Sequence, residues 1–140
     1  MAAIESWFAD TLTDDAAVTA LVGTRVYAVK IPQAASLPAV AYLRRNTNRQ
    51  YTSSRQDPLA TVTLEAHIVA ASYTTVKDLA DKVRLTASGF SGADSPFNIR
   101  RCFLVNEYDD PEYPEFADDK VGYRVVQVWE IVHSEVAPTF

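Results

Sequence analysis

Two histidines are the residues of this chain whose chemistry points first to a metal site or a general base. His67 shares a strand face with Glu65, and His133 lies in a later strand. A metal site needs three or four converging nitrogen, oxygen or sulfur donors, with further groups that orient them. Because the sequence offers no such set, we interpret both residues as partly exposed strand histidines. We therefore expect no metal and no cofactor.

Cys102 is the single cysteine of the chain and the other candidate for a nucleophile. It stands beside Phe103 and Leu104 in a strand, where cysteine usually acts as a small buried hydrophobic residue. A reactive cysteine needs exposure and a basic partner. No serine lies in a GxSxG elbow, and the four glycines are isolated rather than grouped in a phosphate-binding loop. These patterns contain no catalytic motif, and by themselves they leave the function open.

Two polar segments stand out from the rest of the chain. Residues 44–58 are rich in arginine, asparagine, serine and threonine, and residues 107–120 hold seven acidic residues beside Lys120. The net charge of −5 argues against a protein that coats nucleic acid, because phosphate binding needs concentrated lysine and arginine. Opposite charges on two loops of one chain favour association between copies. We interpret the arginine segment as a protein contact, with a solvated hairpin tip and a nucleic-acid contact as the alternatives.

The hydrophobic pattern predicts one α+β domain over residues 1–140. Helical spacing of apolar residues predicts one kinked helix or two short ones over residues 3–22, ended by Gly23, and a central helix over 74–88. Strands are predicted over residues 24–29, 39–43, 59–69, 99–108 and 121–133. This order indicates an antiparallel-rich sheet of about five strands with the N-terminal and central helices packed on one face. Residues 44–58 and 107–120 are then two long polar loops.

Three consecutive motifs between residues 21 and 42 resemble those of a known family. They read L-V-G-T-R-V-Y at 21–27, P-Q at 32–33 and L-P-A-V-A-Y at 37–42. In order and spacing they are similar to the motifs of phage tail completion proteins, the head-to-tail joining or tail terminator proteins of long-tailed phages. The rest of the chain agrees with that family in outline, with a polar interruption, an alternating strand, a helix and a late pair of strands.

The resemblance implies a structural virion protein that is not an enzyme. Proteins of this kind form a ring, typically a hexamer, that caps the last ring of the tail tube and docks onto the head connector. DNA passes through the lumen during ejection without specific binding. The resemblance thus implies further copies of this chain, the tail tube protein and the connector as partners, with no membrane. It implies a place in the virion, after assembly in the host cytoplasm.

In such a ring, the two polar segments have different expected roles. The acidic segment would line the lumen, where negative side chains repel phosphate. The residues expected there are Glu107, Asp109, Asp110, Glu112, Glu115, Asp118 and Asp119. The arginine segment would contact a neighbouring subunit, the tube or the connector. The residues expected at that contact are Arg44, Arg45, Arg49, Tyr51 and Arg55.

Other interpretations of the sequence remain as alternatives. Another neck or tail-tube component is the alternative within the same class of protein. From other classes, one alternative is a small metal-dependent hydrolase or metal-binding domain that uses His67, Glu65 or the acidic segment. Another is a nucleic-acid-binding module that uses residues 44–55.

Overall fold

The fold is known from a computed structural model that describes residues 4–32, 34–92, 98–110, 115–116 and 120–138, with only the backbone of 115, 116, 120 and 121. The helices are α1 (Ile4–Thr13), α2 (Ala16–Val22) and α3 (Tyr73–Ala87). The strands are β1 (Val26–Ala28), β2 (Ala39–Tyr51), β3 (Gln56–Ala70), β4 (Asn98–Asp110), β5 (Glu115–Phe116), β6 (Lys120–Val121) and β7 (Tyr123–Ser134). Five strands form one sheet in the order β1-β2-β3-β7-β4, and β5 pairs with β6 separately. The predicted α+β class with a five-stranded sheet is confirmed.

The N-terminal helical region is two helices rather than one kinked helix. Asp15 begins α2, because its carboxylate accepts hydrogen bonds from the backbone N–H groups of Ala17 (2.9 Å) and Val18 (3.1 Å). These donors have no partner within the helix, so the cap stabilises its first turn. Gly23 ends α2 with φ at 58°, a conformation that glycine adopts without a steric penalty. None of the helices that the structure describes is long and apolar enough to span a membrane.

Arg25 holds the end of α2 against the start of β2. Its guanidinium donates hydrogen bonds to the backbone oxygens of Leu21 (3.0 Å) and Pro38 (2.9 Å). Directly after it, the short edge strand β1 pairs in parallel with β2, Val26 opposite Val40. All other pairs in the main sheet are antiparallel. The motif residues between 21 and 42 therefore join the helices to the sheet.

The core lies between the helices and one face of the sheet. β3 is paired on both sides, with β2 and with β7. Its even-numbered residues from 60 to 70 are fully buried, and its odd-numbered residues from 61 to 67 are partly exposed. This is the predicted alternation of a strand with one dry and one wet face. Aromatic rings fill the layer between the helices and the sheet. The ring centroids of Phe8 in α1 and Trp129 in β7 are 5.8 Å apart.

A buried amide connects three elements within this core. Gln127 of β7 is fully buried, and its Nε2 donates to the backbone oxygen of Ala80 in α3 and to Glu107 of β4, both at 2.8 Å. Trp129 Nε1 donates to the Gln127 side-chain oxygen at 3.3 Å. A buried polar group without partners would cost roughly 1–3 kcal/mol, so this network keeps α3, β4 and β7 in one relative position.

The predicted loop over residues 44–58 is wrong in extent. β2 continues to Tyr51 and β3 begins at Gln56, so only residues 52–55 connect the two strands. The strand ladder persists there, with Asn48 opposite Thr61 and Arg49 opposite Ala60. The main chain supplies these hydrogen bonds whatever the side chains are. Because the outer part of β2 is exposed, its side chains are polar and show no apolar alternation.

The predicted acidic loop also begins later than expected. β4 runs to Asp110, so Glu107, Asp109 and Asp110 lie in a strand that is paired with β7. Glu115 lies in β5, which pairs with β6. The remaining acidic residues of the prediction, Glu112, Asp118 and Asp119, lie outside the residues that the structure describes.

Two leucines of α3 test the assignment of the core. Leu79 is fully buried and Leu85 is 66% exposed on the same helix. We expect Leu79→Ala to lower the free energy of unfolding by about 2–5 kcal/mol, because it removes buried methyl groups and leaves a cavity. Leu85→Ala is the matched control, with an expected change within about 0.5 kcal/mol. Urea unfolding measures both, and equal losses in the two variants would contradict this orientation of α3.

Candidate functional site

The turn of one charged segment and the strand end of the other lie toward opposite ends of the sheet. We call residues 44–58 the arginine hairpin and residues 107–120 the acidic segment. Arg49 pairs with Ala60, which pairs with His133, so the arginine hairpin extends beyond this row. At the other end, Asp110, the last residue of β4, pairs with Arg124. At the usual rise of a strand, the two rows of β7 are about 30 Å apart.

Three of the four arginines of the hairpin form ion pairs within the chain. Arg44 pairs with Glu5 of α1, and Arg45 pairs with Glu65 of β3 at 2.7 Å. Arg49 pairs with Glu135, which follows β7. The structure thus directs these guanidinium groups toward carboxylates of the same chain. The arginine hairpin therefore exposes less net positive charge than its sequence indicates, because carboxylates of the same chain neutralise three of its arginines.

The turn of the hairpin presents a different set of groups. Its backbone closes through a hydrogen bond from Thr52 N to the oxygen of Arg55 (2.8 Å), and the Thr52 hydroxyl accepts from the N–H of Arg55 at 3.2 Å. Arg55 is exposed at this turn, and Tyr51 beside it is 61% exposed. The hydroxyl and backbone bonds fix the turn, so Arg55 and Tyr51 project from a defined position.

A segment that sequence reasoning missed fastens the arginine hairpin to the body. The carboxylate of Glu135 accepts from Arg49 and from Gln56 Nε2 (2.9 Å). The backbone N–H of Glu135 donates to Pro58 (2.8 Å), and that of Gln56 donates to Pro138 (3.3 Å). Residues 135–138 therefore run along the hairpin as a clamp. The one signal in the sequence was a lone acid directly after the last strand.

The carboxyl of Glu135 is held in its charged form by these contacts. The hydrogen bond from Arg49 is the main cause that lowers the pKa of Glu135, and burial opposes it with a smaller effect. A lowered pKa in the folded state means that ionised Glu135 stabilises the fold. The clamp between the tail and the hairpin is therefore strongest above the pKa that the carboxyl has in the unfolded chain.

The strand part of the acidic segment is likewise engaged within the chain. Asp109 accepts from the Tyr73 hydroxyl at 2.6 Å and from Lys77, both in the first turns of α3. The hydrogen bonds of Lys77 and Tyr73 lower the pKa of Asp109. Glu107 accepts from the buried amide of Gln127. These two carboxylates hold β4 against α3 and β7, which is a structural role that the charge count did not reveal.

The predicted histidine pair divides into two environments. On the exposed face of the sheet, His67 Nε2 lies 3.0 Å from Glu65, which also binds Arg45. Burial raises the pKa of Glu65, but the hydrogen bonds from Arg45 and His67 outweigh it and hold that pKa below its usual value. His133 is buried, so its predicted partial exposure is wrong. Odd-numbered residues of β7 face the helices, and His133 continues that row.

The remaining chemical candidates do not form a reactive centre. Cys102 is fully buried, and burial raises the pKa of its thiol to about 12, so the thiol stays protonated near neutral pH. Its predicted role as a small hydrophobic residue is confirmed. Within the part of the chain that the structure describes, no three histidine, cysteine or acidic side chains converge as metal ligands.

The sequence matches the model of a known protein family over most of its length. Residues 9–113 match the family model described as "Tail completion protein gp17". The chain belongs to this family of phage tail proteins. The matched span extends from within α1 to just beyond β4, so it includes the motifs between residues 21 and 42 and the whole arginine hairpin. The family is one of structural virion proteins. A search of curated proteins found no match.

The fold of this tail completion protein recurs in a solved particle. A chain of the structure described as "Virion of native gene transfer agent (GTA) particle" is similar to it with a TM-score of 0.69 and 19% sequence identity. The match covers 91% of this chain and 92% of the other. Identity at this level shows a shared fold over nearly the whole of both chains.

Glu135 provides a test of the clamp in this tail completion protein. Because its pKa is lowered on folding, its contribution is present above the unfolded-state value, about 4.3, and is lost as pH falls through the folded-state value. We expect Glu135→Gln to lower the free energy of unfolding at pH 7 by roughly 0.5–1 kcal/mol, the size typical of partly exposed pairs. The difference from wild type should shrink as pH falls through the folded-state pKa.

Urea unfolding at pH 7 and at pH 3 measures this effect. Glu130→Gln is the matched control, since Glu130 forms a surface pair with Arg101 of the neighbouring strand. A Glu135→Gln variant as stable as wild type at pH 7 would show that the clamp adds nothing to stability.

Proposed function

We propose that this protein forms a ring, hexameric in the assembled particle, that completes the phage tail between the tail tube and the head connector. The observation that carries the proposal is the family match over residues 9–113. DNA passes through the lumen of the ring during ejection and is not bound specifically. The protein acts by assembly and not by catalysis, and its partners are copies of itself, the tube protein and the connector. It assembles in the host cytoplasm and stays in the virion, without a membrane partner.

The placement of the charged segments supports different partners at the two ends of each subunit. The turn of the arginine hairpin and the Asp110 end of β4 lie at opposite ends of the same sheet. In a ring of subunits related by rotation, two such ends contact different neighbours. We assign the arginine hairpin to a contact with an adjacent subunit, the tube or the connector. Of its five predicted contact residues, Tyr51 and Arg55 at the turn are the ones best placed to reach another chain.

The acidic segment is assigned to the wall of the lumen. Negative side chains along a channel repel phosphate and keep DNA from binding during transit. Glu107, Asp109 and Asp110 already contact groups of their own chain, and Asp110 lies 3.4 Å from Arg124. The acids beyond Asp110 therefore carry most of this role. A ring resolved by electron microscopy with residues 107–119 on its outer wall would contradict the assignment.

Ring formation is the first property to measure. We expect native mass spectrometry and negative-stain microscopy to detect a closed ring with six times the mass of the chain, either alone or after addition of tail tubes. The control is a destabilised core variant, Leu79→Ala, which should form fewer rings because less of it is folded. A wild-type chain that stays monomeric at high concentration and also in the presence of tubes would overturn the proposal.

Arg55 tests the contact at the tip of the arginine hairpin. Replacing Arg44, Arg45 or Arg49 would also break ion pairs within the chain, whereas Arg55 lies at the exposed turn. We expect Arg55→Ser to weaken binding to tubes or connectors by about tenfold, which corresponds to about 1.4 kcal/mol. Arg84→Ser on α3 is the control, since Arg84 pairs with Asp81 of its own helix, away from the hairpin turn. Co-sedimentation measures both variants, and equal binding by the two would remove Arg55 from the contact.

A further inference from the structure

Within the described residues, one edge of the main sheet is open along most of its length. β4 forms this edge, and the described segments outside the sheet bond to it near its start. Gly92 exchanges two hydrogen bonds with Ile99 (3.0 and 2.8 Å), and Gly89 donates to Cys102 (2.7 Å). Among the described residues, no backbone group outside the sheet bonds to residues 103–109. An open edge of this kind is a template for a further strand.

The open part of β4 also exposes large apolar side chains. Phe103 and Tyr108 are each 46% exposed, and Val105 is 52% exposed. Val105 is the extra residue at a break in register between Leu104 and Asn106. Soluble proteins usually protect open edges with charged side chains. Apolar groups surrounded by polar ones, as here, are typical of a surface that another chain covers.

The opposite edge of the sheet is open as well. β1 covers β2 only at residues 40–42. From Leu43 onward, β2 has no second strand partner within the described residues. This part of β2 carries Arg44, Arg45 and Arg49 and no acidic residue. Two β2 edges would therefore place arginines against arginines, which is unfavourable.

A symmetric contact between two β4 strands is also unfavourable. Its best charge match would set Arg101 against Asp109 and would need residues 100–102 to be open at the edge. Gly89 and Gly92 already occupy that part of the edge. The two different edges remain as partners. Every step from β2 through β3 and β7 to β4 is antiparallel, so β2 and β4 run in opposite directions. A rotated copy then presents its β2 antiparallel to β4, and such head-to-tail contacts can close into a ring.

We propose that β4 of one copy pairs antiparallel with the outer part of β2 in the next copy, with Arg44 opposite Asp109 and Asn48 opposite Asn106. This inference rests on the proposed function, because it names the surfaces that join the copies of the ring. Two residues of β2, Arg45 and Asn46, then face Tyr108. The same irregularity already occurs where β2 pairs with β3, between Arg44 and Asn46.

Existing ion pairs favour this register. Arg44 and Asp109 both lie on the helix side of the sheet, opposite Leu64 and Val125 of the neighbouring strands. Within one chain, Arg44 pairs with Glu5, and Asp109 pairs with Lys77. The contact would align Glu5, Arg44, Asp109 and Lys77 in a row of alternating charge. A network of this kind specifies one register against its neighbours.

Disulfide trapping tests both the pairing and its register. The double variant Asn48→Cys with Asn106→Cys places thiols at exposed positions on β2 and β4. Opposite residues of paired strands have Cβ atoms about 4.5–5.5 Å apart, close to the range of a disulfide. Within one chain the two strands are separated by β3 and β7, about 14 Å, so any bond formed joins two copies. Cys102 can stay, because it is buried.

Asn48→Cys with Asn98→Cys is the matched control on the same two strands. Under mild oxidation, we expect the first pair to give a ladder of linked copies up to the full ring, at least tenfold more than the control. Rings that assemble but link no better than the control would overturn the pairing and leave the proposed function standing. Stronger linking of the control pair would overturn the register. A wild-type chain that forms no ring would overturn the proposed function and this inference together.

Discussion

The pairing of β3 on both sides is the constraint on which the rest of the structure depends. Its even-numbered residues from 60 to 70 are buried under the helices, so a slip of one residue would turn the whole buried row toward solvent. With β3 fixed, β2 and β7 are fixed beside it, and β4 follows through β7. The positions of the hairpin turn and of the Asp110 end of β4, at opposite ends of the sheet, are consequences of this one register.

Carboxylates of the same chain then decide how much of the charge is available to partners. Arg44, Arg45 and Arg49 each meet an acid on a different element, α1, β3 and the C-terminal tail. Asp109 meets Lys77 and Tyr73 of α3. Ion pairs at the surface add little stability singly, but together they orient the segments that carry them. Within the described residues, this protein thus offers its partners the strand edges and the turn of the arginine hairpin rather than clusters of unpaired charge.

Elements with an apolar period were predictable from the sequence, and elements without one were not. The alternation of β3 and the stripe of α3 each carry a local signal that tertiary contacts only reinforce. The outer half of β2 has no such signal, because neither of its faces is buried at that end. His133 was not predictable for the same reason, because its burial depends on the helices that cover the odd-numbered residues of β7. The same limit applies to Glu135, whose partners lie in another part of the chain.

By itself the sequence determined the α+β class, the two helical regions, the dry and wet faces of β3 and the family, because each depends on local spacing or on a continuous motif. Only the tertiary structure decided which of the described charged side chains pair within the chain, which described strand edges lack a partner, and that the rows of Arg49 and Asp110 lie about 30 Å apart along β7. These properties arise from pairs such as Arg49 with Glu135, which are far apart along the chain. Such contacts leave no period in the sequence, since the fold alone brings their partners together.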